Sequence, residues 1–319
     1  MLYGQNNPCI VLIYALVITG AAAMDKGLFL YNPKSGDQSI KNKIDNIIKK
    51  FQKSDIFLVP FRMFDAMDDD KTLKKLLESE KFSFIILSGG DGSLNYLVNF
   101  LMKNGINLPL GVFPCGTCND FARGIGMTDN ADDWVNVITS GKTSLVDTGC
   151  VNGDRYFIGN LGGGAFAGAS YNTNNEMKRA LGPAAYYLKA LGELPHIDSF
   201  KIRVETRNYS IEENVILFII LNGKNAAGFS NFLKQADVSD GLFDILLFKN
   251  AKPAELVNIL VKMVSSGLSD DRNIVYLRAG ECRLESDKKI QICIDGEQGP
   301  FLPIDVRCIH PGLKIFVNY

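Results

Sequence analysis

Residues 84–123 constrain the chain most, reading FIILSGGDGSLNYLVNFLMKNGINLPLGVFPCGTCNDFAR. Phe84–Leu87 is a short apolar run with two β-branched isoleucines, which reads as a buried strand. The chain then turns through Ser88-Gly89-Gly90-Asp91-Gly92-Ser93, after which Leu94, Leu97, Val98 and Leu101 recur at helical spacing. Strand, glycine turn and helix together present backbone N–H groups to a phosphate. Glycine lets the backbone approach, and the helix N-terminus adds partial positive charge. The pattern repeats: Leu110–Phe113 is a second apolar run, Pro114-Cys115-Gly116-Thr117-Cys118-Asn119-Asp120 follows, and a helical segment begins near Phe121. Two such turns after neighbouring parallel strands face one cleft, outside the carboxyl ends of the sheet.

The glycine spacing matches neither G-x-G-x-x-G nor G-x-x-x-x-G-K-[ST]. A tight turn with no ligand would produce the same glycines. The carboxylates argue for more, because Asp91 and Asp120 sit beside the hydroxyl residues Ser93 and Thr117. Carboxylates in a phosphate cleft make sense if magnesium bridges them to the phosphates.

Upstream, Leu28–Tyr31 reads as a first strand ending in Asn32-Pro33-Lys34-Ser35-Gly36, a turn able to hydrogen-bond phosphate or simply an Asn-Pro turn. Ile40, Ile44, Ile47, Ile48 and Phe51 share a helix face, Ile56–Val59 is a second strand, and 68–80 is a solvated helix with acidic residues at its start. From Leu145 strand-like runs follow one another: 145–150, 155–160, 200–206, 214–221, 242–248, 273–278, 281–285, 289–295 and 304–309. Asn152-Gly153 and Asn208 supply hairpin turns, and helical insertions are expected over 173–192 and 253–266. Strands following βα units indicate a second, sandwich-like domain.

Three parts of this half carry chemical interest. Leu161-Gly162-Gly163-Gly164-Ala165-Phe166 is too glycine-rich for a strand interior, so a close approach by a chain segment or ligand, or a bulge, is expected. Asp237 and Asp240 precede a glycine turn and could hold a hard cation with the Leu242 carbonyl, or form a plain Asp-Gly turn. Glu297, in Asp295-Gly296-Glu297 after Ile290–Ile294, is well placed to accept a proton from a substrate hydroxyl.

The 319 residues suggest one large or two ordinary domains, and 46% hydrophobic with 22% charged residues is globular. A net charge of −1 argues against a globally basic nucleic-acid binder. Seven irregularly spaced cysteines argue for free thiols in a reducing compartment. Cys115 and Cys118 form one CxxC, but there is no second pair, and His196 and His310 are remote in sequence, so a redox or zinc role is the weaker reading.

Gly89-Gly90-Asp91-Gly92-Ser93 resembles the GGDGT element shared by diacylglycerol kinases, sphingosine kinases and NAD kinases. Asn32–Gly36, Gly116–Asp120 and Asp295–Glu297 resemble, in order, the other landmarks of the diacylglycerol kinase catalytic family. The resemblance runs from about Met24 to the C-terminus. It implies an α/β N-terminal domain with a parallel sheet over 24–144 and a mainly β, sandwich-like lipid-substrate domain over 145–311. It also implies a final strand at 312–319 returning toward the first domain. It implies an ATP-dependent lipid kinase acting on diacylglycerol or a related membrane lipid. Glu297 would be the base, Asp91 and Asp120 would hold catalytic Mg²⁺, and Asn32, Pro33, Lys34, Ser35, Gly36, Gly90, Asp91, Gly92, Ser93, Leu94, Asn95 and Thr117 would line the ATP site. Asp237, Asp240 and Leu242 align with a structural magnesium site of bacterial members.

Met24 sits where such proteins typically begin. Residues 1–23 carry no charge and read as an apolar extension or a membrane anchor, being short for a span and lacking a positive n-region. A cytoplasmic enzyme is expected, in peripheral contact with an anionic membrane surface through Lys178, Arg179 and Lys189 beside Tyr186, Tyr187 and Leu188, with no nucleic-acid partner and with a homodimer left open. The sequence departs from the family in three places. Ser93 replaces Thr, Tyr96 stands where many members have Glu, and Phe61-Arg62 occupies the place of a nucleotide-contacting threonine. An NAD kinase-like phosphotransferase and a non-catalytic lipid- or nucleotide-binding module are the alternatives.

Overall fold

The computed structural model describes residues 25–318, apart from Asp37, Ser39, Asp65, 166–197, 226–231 and, between 252 and 270, all but Glu255, Asn258, Ile259 and Lys262. The apolar extension, the segment expected to be helical over 173–192 and its basic residues lie outside these. So does most of 253–266, although its four described positions are helical.

The first half alternates strands and helices: Asp25–Tyr31 (β1), Ile40–Gln52 (α1), Ile56–Arg62 (β2), Ala66–Ser79 (α2), Phe84–Gly89 (β3), Asp91–Asn104 (α3), Leu110–Pro114 (β4), Asp120–Gly124 (α4) and Ala131–Ser140 (α5). The four strands pair in parallel, in the order β4-β3-β1-β2. Every residue of β3 and β4 is buried, as expected for parallel strands covered on both faces. The apolar face of α1 supplies that cover through buried Ile40, Ile47 and Phe51. On α3 the Leu94, Leu97, Val98 and Leu101 stripe is at most 3% exposed. Gly105 (φ 63°) ends α3, its N–H returning to the carbonyls of Leu101 and Met102.

Strand order decides where a ligand can enter. The chain leaves β1 to form β2 on one side and then returns to form β3 on the other. The connections after β1 and β3 therefore diverge, leaving a crevice at their carboxyl ends.

The second half is antiparallel: Thr143–Val151 (β5), Arg155–Phe157 (β6), Asn160–Gly164 (β7), Phe200–Thr206 (β8), Ser210–Leu221 (β9), Phe243–Lys249 (β10), Ile274–Ala279 (β11), Glu281–Ser286 (β12), Gln291–Ile294 (β13), Glu297–Phe301 (β14) and Ile304–Phe316 (β15). Asn152 and Gly153 both take positive φ (51° and 82°), as the Asn-Gly hairpin signal implies.

Two local expectations are corrected. The glycine run is a strand after all: β7 is hydrogen-bonded between β9 and β13. A Cβ on Gly162 would stand 2.8 Å from the Phe218 carbonyl oxygen, and one on Gly163 would stand 2.6 Å from the Phe218 ring. The glycines answer a close approach by β9, and the strand's hydrogen bonds outweigh their poor strand propensity. Residues 304–309 and the final strand are likewise one element, β15, whose register on β5 shifts between Ile309 and Leu313.

Through β15 the two halves become one hydrogen-bonded sheet. It pairs with β12 and β5 along most of its length and reaches β4 in parallel where Ile315 meets Leu110. Leu313, Ile315, Phe316 and Val317 thereby join the apolar core of the first half, while Ile304 and Val306 of the same strand lie in the core of the second.

Ile315 is 0% exposed at this junction. Replacing it with Ala is expected to cost about 2–5 kcal/mol. Urea unfolding followed by far-UV circular dichroism and by fluorescence of Trp134, which stacks on Phe113 at 4.2 Å, is expected to give coincident transitions shifted equally. Separation of the two curves would show that the halves unfold independently.

Candidate functional site

Three turns converge at the carboxyl ends of β1, β3 and β4. Asn32 joins the first two, because its N–H donates to the Ser88 carbonyl (3.0 Å) and its Nδ2 to Ser93 Oγ (2.8 Å). The Asn32 Oδ1 also accepts from the Lys34 N–H (2.9 Å) and its carbonyl from the Ser35 N–H (3.2 Å), so one residue shapes the whole first turn. Pro33 is buried beneath it and Lys34 is exposed. Gly36 takes φ 58° and lies against the Cys115 carbonyl, where a side chain would not fit.

The second and third turns are equally close. A Cβ on Gly116 would lie 2.5 Å from the Gly90 Cα, and one on Gly90 would lie 3.1 Å from the Gly116 Cα. Gly90 is the N-cap of α3, so Asp91, Gly92 and Ser93 form its first turn, where backbone N–H groups lack helical acceptors. Asn119 holds the third turn. It is left-handed (φ 53°), a conformation Asn tolerates better than most residues. Its Oδ1 accepts from the Gly116 N–H (2.8 Å), its Nδ2 donates to the Gly116 carbonyl (2.9 Å), and its N–H donates to Asp91 Oδ2 (2.9 Å). Thr117 lies inside this turn, and Asp120 begins α4 beside Asp91.

Electrostatics mark the same place. Burial, reinforced by the neighbouring Asp120 charge, pushes the Asp91 carboxyl from 3.8 up to about 7, against the pull of the Asn119 N–H. Among the described residues no three His, Cys, Asp or Glu side chains are grouped to hold a metal by themselves. A cation at Asp91 and Asp120 would draw its remaining ligands from phosphate and water, and it would relieve their mutual repulsion. The pair fits that use.

The second half contributes the fourth wall. Asp295 and Gly296 form the β13–β14 turn with φ 47° and 89°. The Asp295 carboxylate accepts from Asn95 Nδ2 (2.9 Å) and from the N–H groups of Ile158 (2.9 Å), Gly159 (2.9 Å) and Asn160 (2.8 Å). Burial raises its pKa while these four donors oppose the rise. This arrangement brings exposed Glu297 to the start of α3, where a Cβ on Gly92 would lie 3.1 Å from Glu297 Oε1.

The turns that carry Asn32 and Ser35, Gly90 to Ser93, and Thr117 to Asp120 thus adjoin at the strand ends, with Glu297 against Gly92, while Ser93 itself is 8% exposed and bonded to Asn32. The Leu94 side chain is instead core, 3% exposed, and Asn95 turns to Asp295. Tyr96, in the place of the usual Glu, donates its hydroxyl to Asp70 of α2 (2.7 Å). Asp237, Asp240 and Leu242 lie in another turn, tied to β5 by the Gly241 N–H donating to Asp147 Oδ2 (2.7 Å). Asp237 Oδ1 accepts from the Ser239 N–H and Oγ, Asp240 Oδ1 accepts from the Leu242 N–H, and Asp240 Oδ2 pairs with Arg278. Asn119 and Asp295 are the positioning residues that sequence reasoning passed over, although the Asp-Gly pair at 295–296 was a readable hairpin signal.

The profile of the diacylglycerol kinase catalytic domain matches residues 26–151, and that of a YegS C-terminal NAD kinase beta sandwich-like domain matches 162–317. A diacylglycerol kinase of Bacillus subtilis is 30% identical over 281 residues, which is 88% of this chain and 92% of that one. One of Staphylococcus epidermidis is 30% identical over 287 residues, 90% of each chain. A crystal structure of a diacylglycerol kinase from Bacillus anthracis superposes with a TM-score of 0.73 at 22% identity, covering 92% of this chain and 97% of that one. The two-domain architecture is therefore a known one, and the site is built on a kinase scaffold. The chain belongs to the diacylglycerol kinase catalytic family.

Two outcomes are expected. Asp91 binds its proton more tightly folded than unfolded, so its ionisation opposes folding. The cost is absent below about pH 4, grows between 4 and 7, and levels off above 7 at up to about 4 kcal/mol. Without divalent metal, the gain in melting temperature from Asp91→Asn should be small at pH 4.5 and rise to several degrees at pH 8. A constant difference would remove the perturbed carboxyl. Asp295→Asn sets an amide N–H₂ against part-buried donors and should cost about 1–3 kcal/mol, read by chemical denaturation.

Proposed function

We propose that the protein is an ATP-dependent lipid kinase, transferring the γ-phosphate to the hydroxyl of diacylglycerol or a related membrane lipid. The observation that carries this reading is the meeting of Glu297 with the first turn of α3: the carboxylate of one half stands against Gly92 in the glycine turn of the other. The glycines of the second and third turns admit a polyphosphate close to the backbone, and Asn32, Ser35, Ser93 and Thr117 line the approach.

Glu297 takes the proton from the acceptor hydroxyl. That oxygen forms a bond to the γ-phosphorus as the bond from phosphorus to the β,γ-bridging oxygen breaks, and ADP leaves. Asp91 and Asp120 would hold Mg²⁺, which would supply positive charge to neutralise the transferring phosphate. Asn119 fixes Asp91 for that task, and Asp295 fixes Glu297 by clamping the turn that carries it. Among the described residues no helix is long and apolar enough to cross a membrane. Contact with an anionic bilayer surface from the cytoplasmic side is the accompanying proposal.

The match of the second half to an NAD kinase sandwich-like domain keeps one other reading in view, a phosphotransferase acting on a soluble nucleotide. Radiolabelled ATP incubated with the protein and total lipid extract, and in parallel with NAD, separates the two. Label in a lipid is expected, and label in NAD alone would replace this proposal.

Glu297→Gln should lower transfer by about 10²–10⁴-fold while leaving ATP affinity within about twofold. Near-normal turnover would remove Glu297 from the reaction.

A further inference from the structure

A cleft of about 710 Å³ opens between the two halves, and Asp91, Gly92, Asp120 and Glu297 take no part in its lining. Its volume is that of a small-molecule site. One wall is α3, where Asn95, Asn99 and Lys103 recur every fourth residue and so share a face. A second wall is the β5–β6 hairpin with Asn152, Asp154 and Arg155, and β14 contributes Gly299. The Asn99 side chain ties helix to hairpin through both backbone groups of Tyr156, and Asn95 Nδ2 donates to Asp295 Oδ2 (2.9 Å) and to the Tyr156 carbonyl (3.2 Å). These amides are already satisfied, so they set the shape of the inner wall.

The charges around the cleft are not satisfied in that way. Lys103 and Arg155 both line it, and among the described residues neither is paired with a carboxylate. Asp154 lines it too and is in no ion pair either. Asn152 uses its Oδ1 on the Asp305 N–H (2.9 Å), which leaves its Nδ2 as a donor. Two cations, an amide donor and one carboxylate acceptor match a ligand with a dianionic end and a hydroxyl-bearing end. A phosphate monoester carries about −1.5 to −2 charges at neutral pH and three strong acceptor oxygens. Arginine meets such a group with a planar fork of donors and lysine meets it as a point charge.

We infer that this cleft is a second anion site, for a phosphate monoester carried on a polyol. Lys103 and Arg155 hold the phosphate, and Asp154 and Asn152 take the hydroxyls. Such a ligand touches α3, the β5–β6 hairpin and β14 at once. It therefore stabilises the docked arrangement of the halves, in which β14 brings Glu297 against Gly92.

The test is calorimetry on the full chain with sn-glycerol 3-phosphate, with dioctanoyl phosphatidate below its micellar concentration, and with inorganic phosphate and glycerol as controls. Each titration is made with and without a non-hydrolysable ATP analogue, so that binding at the glycine turns is recognised as the part the analogue displaces. At least one of the two phosphate monoesters is expected to bind in the presence of the analogue, more tightly than inorganic phosphate, and glycerol is not. Lys103→Ala and Arg155→Ala should each weaken that binding about tenfold or more. Asp154→Ala should reduce the preference over inorganic phosphate. The ligand should raise the melting temperature of the wild type and not that of the Lys103→Ala, Arg155→Ala double variant, whose own melting temperature should be little altered because Lys103 is exposed and Arg155 half-buried. Tighter binding of the phosphatidate would make the source a lipid headgroup, and tighter binding of glycerol 3-phosphate a soluble metabolite; both support the site. Binding that the analogue abolishes, equal binding in the variants, or no binding of either monoester overturns the inference.

Discussion

A single part-buried carboxylate holds this architecture in its working form. Asp295 accepts from the Asn95 side chain of α3 and from three consecutive backbone N–H groups between β6 and β7. Those part-buried donors would otherwise lose their acceptor, at a cost of up to about 1–3 kcal/mol each. Satisfying all of them with one side chain locks the β13–β14 turn against the first turns of α3. Asn99 adds to the same seam: its Nδ2 donates to the Tyr156 carbonyl (2.8 Å) and its Oδ1 accepts from the Tyr156 N–H (2.9 Å). The crevice therefore has its fourth wall, and Glu297 its position, because a polar network closes the gap between two separate apolar cores.

Within the crevice, charge is concentrated in a way the fold alone would not select. Asp91 is half-buried beside Asp120, and its carboxyl is held well above its ordinary range. A protein tuned only for stability would not retain such a pair, because each ionisation works against the other in a poorly solvated setting. The proposed cation would relieve that repulsion, so the stability given up by the carboxyl pair would return as affinity for it. The turn at 237–242 shows the opposite condition. Arg278 sits between Asp240 and the 1%-exposed Asp244 of β10, so that these two carboxylates share an internal counter-ion.

Local sequence determined much of this. Apolar runs of four to six residues followed by glycine turns located β1, β3 and β4, since both signals act within a few residues. The 3.6-residue stripes placed α1 and α3, and Asn-Gly placed the β5–β6 hairpin. The candidate residues Asn32, Asp91, Thr117, Asp120 and Glu297 could be named because each lies in a short stretch of unusual composition. The tertiary structure decided the rest. Glycine-rich β7 is a strand because Phe218 and its carbonyl, more than fifty residues away in sequence, fill the space of the missing side chains. Residues 304–316 are one strand because β5, β12 and β4 all pair with it. The roles of Asn119 and Asp295 lie in hydrogen bonds to partners 28 and up to 200 positions away. Composition and periodicity report what a residue prefers over one turn of chain, whereas burial, shared donors and charge proximity depend on which distant segments the sheet order brings side by side.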